Sequence, residues 1–158
     1  VSMRGKAAGA HDMQVADDAL KHVFVGQGAY PPHFCGKDID WSHNPYPDNE
    51  WLWQLNRMTF WTSMGRAYWN TGDEKYARAW AAQLLDWIKK NPHDDRHAYS
   101  WRSIEAGIRG SRFTELFQYF LDSPAFTPAV LVAFLNSCYE HAADLRTTEH
   151  RKRNWALI

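Results

Sequence analysis

The sequence is poor in cysteine, has no excess of either charge and contains no long apolar run, and each shortage excludes a class of protein. Two cysteines in 158 residues, Cys35 and Cys138, are too few for a disulfide framework or a cysteine-based zinc site. Cys138 falls on an apolar helical stripe, where a free thiol behaves as a small core hydrophobe. Eighteen Lys plus Arg balance eighteen Asp plus Glu. No global field therefore draws the chain to nucleic acid or a membrane surface, and any anion site has to be local. Nothing approaches the roughly eighteen consecutive apolar residues of a membrane span. Val1–Lys6 is followed by no apolar run, so no signal peptide is legible. The start at Val1 and the apolar close at Ala156-Leu157-Ile158 read as part of something longer. A phosphate-binding loop is missing, because Gly26-Gln27-Gly28 lacks the spacing and the following helix. There is no Gly-x-Ser-x-Gly elbow. His93, His97, His141 and His150 lack metal-ligand spacing, so neither metal nor cofactor is expected.

Aromatic side chains are abundant instead: nine Trp, seven Tyr and eight Phe. Most belong in a core, since aromatics dominate buried area. A surplus of Trp and Tyr also suits sugar stacking, and composition does not choose between these uses.

Along the chain, residues 1–13 read as a disordered or tag-like lead, and 14–158 as one helical region. A short helix is predicted from Val15 to Phe24, followed by an irregular segment over 25–47 rich in Gly, Pro and Asn. A loop that long in a compact domain is usually functional or wraps a surface. Asp48 is a good N-cap for a helix running to about Asn70. Thr71-Gly72-Asp73 supplies a glycine stop and a new cap for Glu74–Lys90, whose stripe is Tyr76, Ala77, Trp80, Ala81, Leu84, Trp87, Ile88. So short a link makes an antiparallel αα-hairpin. A second hairpin follows, Arg102–Leu121 and then a helix restarted by Thr127-Pro128 and carried to Arg146. With no strand-like alternation, the class is all-α: antiparallel αα-hairpins with wide apolar faces, which suit stacked or toroidal arrangements.

Two polar groups interrupt these apolar helices. Gln54 and Arg57 share a side with Trp61 and Tyr68, and a buried Arg must find a partner or line a cleft. Arg102, Glu105, Arg109 and Arg112 fall within roughly 80° of arc at ~100° per residue, and Phe113, Leu116 and Phe120 continue nearly the same face. That pattern fits an inner helix opening on a cleft at its start. The alternative is a buried Arg–Glu network that only fixes packing. Arg146 and Arg151-Lys152-Arg153 read as a solvated basic loop.

The blocks Gly36–Trp41, Trp53-Gln54-Leu55-Asn56-Arg57, Thr71–Arg78, Trp101–Glu105 and Ser123–Pro128 occur in the order seen in heparinase III-type heparan sulfate lyases, polysaccharide lyase family 12. The chain resembles the N-terminal helical domain of that family over residues 16–158. The resemblance implies part of an incomplete (α/α) toroid, with the rest of the toroid and a β-sandwich lying outside this chain. It also implies a periplasmic protein and an acidic polysaccharide partner such as heparan sulfate. Gln54, Asn56, Arg57, Arg102, Glu105 and Arg109 would then line the substrate cleft. Asn154 matches the family's asparagine that holds the uronate carboxylate at the cleavage point. Relatives commonly carry Gly-Asn-His there, whereas this chain has Arg153-Asn154-Trp155. The proton-transferring Tyr and His of the family would lie beyond Ile158, so the chain alone is expected to be inactive. Two other readings stay open: a glycoside hydrolase on a similar toroid using carboxylates such as Asp38, Asp40 and Glu105, and a non-catalytic glycan-binding domain.

Overall fold

The computed structural model describes residues 8–26 and 28–146. The first helix, α1 (Ala10–Leu20), buries Ala16 and Ala19 completely, small residues that let a neighbouring helix come close. It starts five residues before the predicted Val15, so Ala10–Met13, assigned to a disordered lead, form its first turn. At the other end it stops short of the predicted Phe24, because His22 takes a left-handed backbone (φ 57). The reversal feeds a two-residue strand, β1 (Val23–Phe24), which pairs antiparallel with β2 (His33–Phe34), Val23 opposite Phe34. A ladder of two residues has no room for a period of two, which is why the sequence shows no strand signal.

The rest of the long loop is irregular but anchored. Trp41 is buried, and its indole N–H donates to Asp86 at 2.8 Å. Lys90 ties Asp38, Asp86 and the Ile39 carbonyl together, fastening the loop to the end of a later helix, Glu74–Lys90.

The single helix expected over 48–70 is two helices. Asp48 caps α2 (Asn49–Asn56), accepting the Glu50 N–H at 2.9 Å. Met58 then takes a left-handed conformation (φ 54) and α3 (Thr59–Thr71) starts in a new direction. The cause lies in the apolar pattern. At ~100° per residue, Trp51, Leu55 and Met58 share one face, while Phe60 and Met64 lie roughly 140–180° from Trp51 and Trp61 about 80° from it. One straight helix would expose one of these sets. The break buries all six.

Gly72 (φ 69) ends α3, and its N–H reaches the Tyr68 carbonyl at 2.7 Å. Asp73 caps α4 (Glu74–Lys90), with the bounds that the periodicity predicts. The second hairpin pairs α5 (Ser103–Phe120) with α6 (Pro128–Arg146), Thr127 accepting the Val130 N–H at 3.3 Å. Between the hairpins, Trp80 stacks on Phe120 at 4.2 Å, and Phe126 and Phe134 meet its edge. Fully burying each such ring contributes about 1.5–3 kcal/mol. The fold is thus helical hairpins around an aromatic core, with one small ladder at the edge.

Candidate substrate platform and the arginine buried behind it

The end of α2 meets the start of α5 in a polar cluster built on charge pairs. Glu50 accepts from Gln54 Nε2 and Arg57 Nη1, both at 2.8 Å. Arg57 also turns to Glu105 Oε1, with Nη2 at 2.9 Å and Nε at 3.3 Å. Glu105 lies in the first turn of α5, where the helix dipole favours a carboxylate. Its second oxygen faces Arg102 Nε at 3.5 Å. Two carboxylates and two guanidinium groups pair here, which offsets the cost of enclosing Glu105 with no solvent exposure.

Arg102 differs from the rest of the cluster. Its side chain is 35% exposed, its guanidinium lies 3.5 Å from the Trp53 ring centre, and Nη1 has no acceptor. A guanidinium lying flat on an indole and partly open to solvent suits an oxyanion. Gln54, Arg57 and Arg102 therefore share one partly open platform. Trp53 completes it, a residue absent from the side chains expected to line the cleft. Its place one turn before Arg57 was the available signal.

Arg109 and Asn56 do not belong to that surface. Arg109 is 1% exposed and spends its donors inside the protein: Nη1 on the Asn56 carbonyl at 2.6 Å, Nη2 on the Ser100 carbonyl at 3.0 Å, Nε on His141 Nε2 at 2.7 Å. Trp87 lies 4.1 Å from its guanidinium carbon and Trp101 5.3 Å. Asn56 is also fully buried, donating to the Trp41 and Leu52 carbonyls and accepting from Trp87 Nε1 at 3.1 Å. The expectation that both contact substrate is corrected: they join α2, α4, α5 and α6 from within. Glu105 is likewise enclosed and positions Arg57 and Arg102 rather than meeting a ligand.

Burial pulls the Arg109 pKa down to about 9, opposed by Glu105 and Asp144, so it keeps its charge at neutral pH. Burial and the Arg109 cation push His141 down to about 3. A neutral His141 that accepts from Arg109 at Nε2 must carry its proton on Nδ1, which donates to the Ser137 carbonyl at 2.7 Å. His141 was passed over in the sequence for want of metal spacing. Its signal was its place seven residues after Phe134, on the apolar face of α6. Asn154 and the cluster Arg151-Lys152-Arg153 lie outside the described residues. Among the described residues, no group of three His, Cys, Asp or Glu could hold a metal ion.

A mainly helical body of αα-hairpins, with a partly open arginine–tryptophan platform at its edge, defines the class. The chain belongs to the heparinase II/III N-terminus family, whose model matches residues 2–158. It is 43% identical to the heparin-sulfate lyase of Pedobacter heparinus and 40% identical to that of Bacteroides stercoris, each over 92% of this chain. The chain spans about a quarter of those relatives, 22% and 25% of their respective lengths. The crystal structure of heparan sulfate lyase HepC from Pedobacter heparinus superposes with a TM-score of 0.85 at 39% identity, over 92% of this chain and 24% of that one.

Proposed function

We propose that this chain is the N-terminal helical wall of a polysaccharide lyase that cleaves heparan sulfate, or a related uronate-containing glycosaminoglycan, by β-elimination. The observation that carries the reading is the identity of 40% and more, over nearly the whole chain, to relatives that are heparin-sulfate lyases. The partly open Arg102–Trp53 pair supports it, since it offers a cation beside an aromatic ring. In this reading the hairpins form part of an incomplete (α/α) toroid and the protein works in the periplasm.

The chemistry explains what the residues are for. β-Elimination removes the proton α to a carboxylate, so negative charge builds on a group that is already anionic. An amide donor on that carboxylate, the role assigned to Asn154, stabilises the developing charge. A tyrosine and a histidine from outside this chain would move the protons. Arg57 and Arg102 hold and orient the acidic polymer. A hydrolytic reading fits the observed carboxylates less well: Asp38 is taken by Lys90, Asp40 accepts from Ser42 in its own turn, and Glu105 is sealed in ion pairs.

The test is to assay a full-length protein carrying this chain on heparan sulfate, following the ultraviolet absorbance of the unsaturated uronate product. Turnover is expected, with Arg102→Ala raising KM severalfold and changing kcat less, because the arginine binds a remote part of the polymer. Absence of unsaturated product from every uronate polymer tried refutes the reading.

A further inference from the structure

A cavity of about 440 Å³ between α1, β1, α3 and α5 contains a cation that the fold leaves unmatched. Volumes in this range take sugar-sized molecules. Its wall is mixed: Val15 and Phe60 are apolar, while Thr62, Ser63, Arg66 and Arg112 bring hydroxyls and two guanidinium groups. Both carboxylates in the lining are already engaged. Asp12 accepts from Ser63 Oγ at 2.9 Å and Arg66 Nη1 at 3.2 Å. Asp18 accepts from Gln14 at 2.9 Å and faces Lys21 at 3.9 Å.

Arg112 has no such partner. Among the described residues it makes one long hydrogen bond, Nη1 to Thr62 Oγ1 at 3.4 Å, and no ion pair. Its Nε–H, like that of Arg66, is shielded from solvent and has no acceptor. A guanidinium carries five donors and no acceptor, so one that lines a cavity without a carboxylate of its own suits an oxyanion. The arrangement is also fixed in place, since α3 and α5 pack closely where Gly65 meets Tyr119.

We propose that Arg112, with Arg66 and Thr62, forms an oxyanion site in this cavity that takes a sulfo or carboxylate group carried on a sugar. The apolar wall meets the C–H face of the ring, the hydroxyls meet its polar edge, and Arg112 supplies the charge that Asp12 does not cancel. The site rests on its own geometry and stands whether or not the parent protein is a lyase.

The experiment follows the arginine Nε–H resonances of the full chain by ¹H–¹⁵N NMR. The chain is titrated separately with N-acetylglucosamine 6-sulfate, glucuronate, unsulfated N-acetylglucosamine and inorganic sulfate. The Arg112 resonance is expected to shift saturably with at least one of the two sugar-borne anions and to stay still with the neutral sugar. Arg112→Gln is expected to weaken that binding at least tenfold, and the exposed Arg78→Gln to leave it unchanged. Should Arg112→Gln fail to fold, Arg112→Lys keeps the charge, loses the fork, and is expected to weaken binding too. No Arg112 shift with either acidic sugar overturns the proposal. So does a shift with inorganic sulfate alone, which would make this a site for small free anions, and so does full affinity in a folded Arg112→Gln variant.

Discussion

Arg109 and His141 form a pair in which a permanent cation forces its neighbour to stay neutral. Losing one partner of a buried charge network costs about 3–5 kcal/mol, because the remaining groups are stranded. The consequence here is a dependence on pH. The native state disfavours the His141 proton down to about pH 3, whereas an unfolded imidazole takes it near its ordinary value of 6.5. The contribution is therefore intact above the unfolded value and is lost as pH falls from 6.5 toward 3. Its slope is at most about 1.4 kcal/mol per pH unit. Asp12, held below its ordinary 3.8 by Ser63 and Arg66, adds its own loss only at lower pH. Urea denaturation between pH 7.5 and 4.5 should show stability falling, and His141→Gln should flatten the fall. Glutamine can accept from Arg109 and donate to Ser137 without titrating. An equally steep fall in His141→Gln would assign the pH dependence to another group.

At the scale of elements, the close approach of α3 and α5 depends on Gly65. A Cβ there would overlap the Tyr119 ring, which is itself fixed by packing against Trp69 at 4.7 Å. Gly65→Ala should destabilise the chain by about 1–3 kcal/mol despite alanine's better helix propensity, as overpacking does. A folded variant with an unchanged urea midpoint would mean that the two helices slide apart at no cost. Gly65 carried no signal in the sequence, because its neighbour is more than fifty positions away. Helices with a cap, a stop and a clean stripe were legible, and α4 is the clearest case. Met58 was harder: the reversal uses neither Gly nor Pro, and only the half-turn offset between the Trp51 and Phe60 faces betrays it. The Arg–Glu arc on α5 was legible as an arc. Its division into an outward Arg102, a buried Arg109 and a cavity-facing Arg112 depends on Trp53, His141 and Thr62, which come from other elements.

Over the whole molecule, charged and apolar surfaces are segregated. The ends of α2 and α5 carry the arginine platform, while α5 and α6 enclose an apolar groove of about 510 Å³ lined by Phe113, Phe117, Phe134, Leu135 and Leu145. Beside it, Val132, Leu135 and Tyr139 stand 58%, 51% and 74% exposed on α6. Exposed apolar area of this kind binds hydrophobic probes, whereas the platform, with its charges paired, should not. A neutral solvatochromic dye such as Nile red is therefore expected to fluoresce with the native chain at neutral pH. The double variant Leu135→Asp, Tyr139→Asp should remove most of the signal. Both side chains are more than half exposed, so the thermal midpoint should move little, as surface substitutions usually do. If the dye signal survives in the double variant, the probe reads loosened packing elsewhere. If the midpoint collapses with it, these side chains hold α6 in place, and the groove belongs to the core rather than the surface.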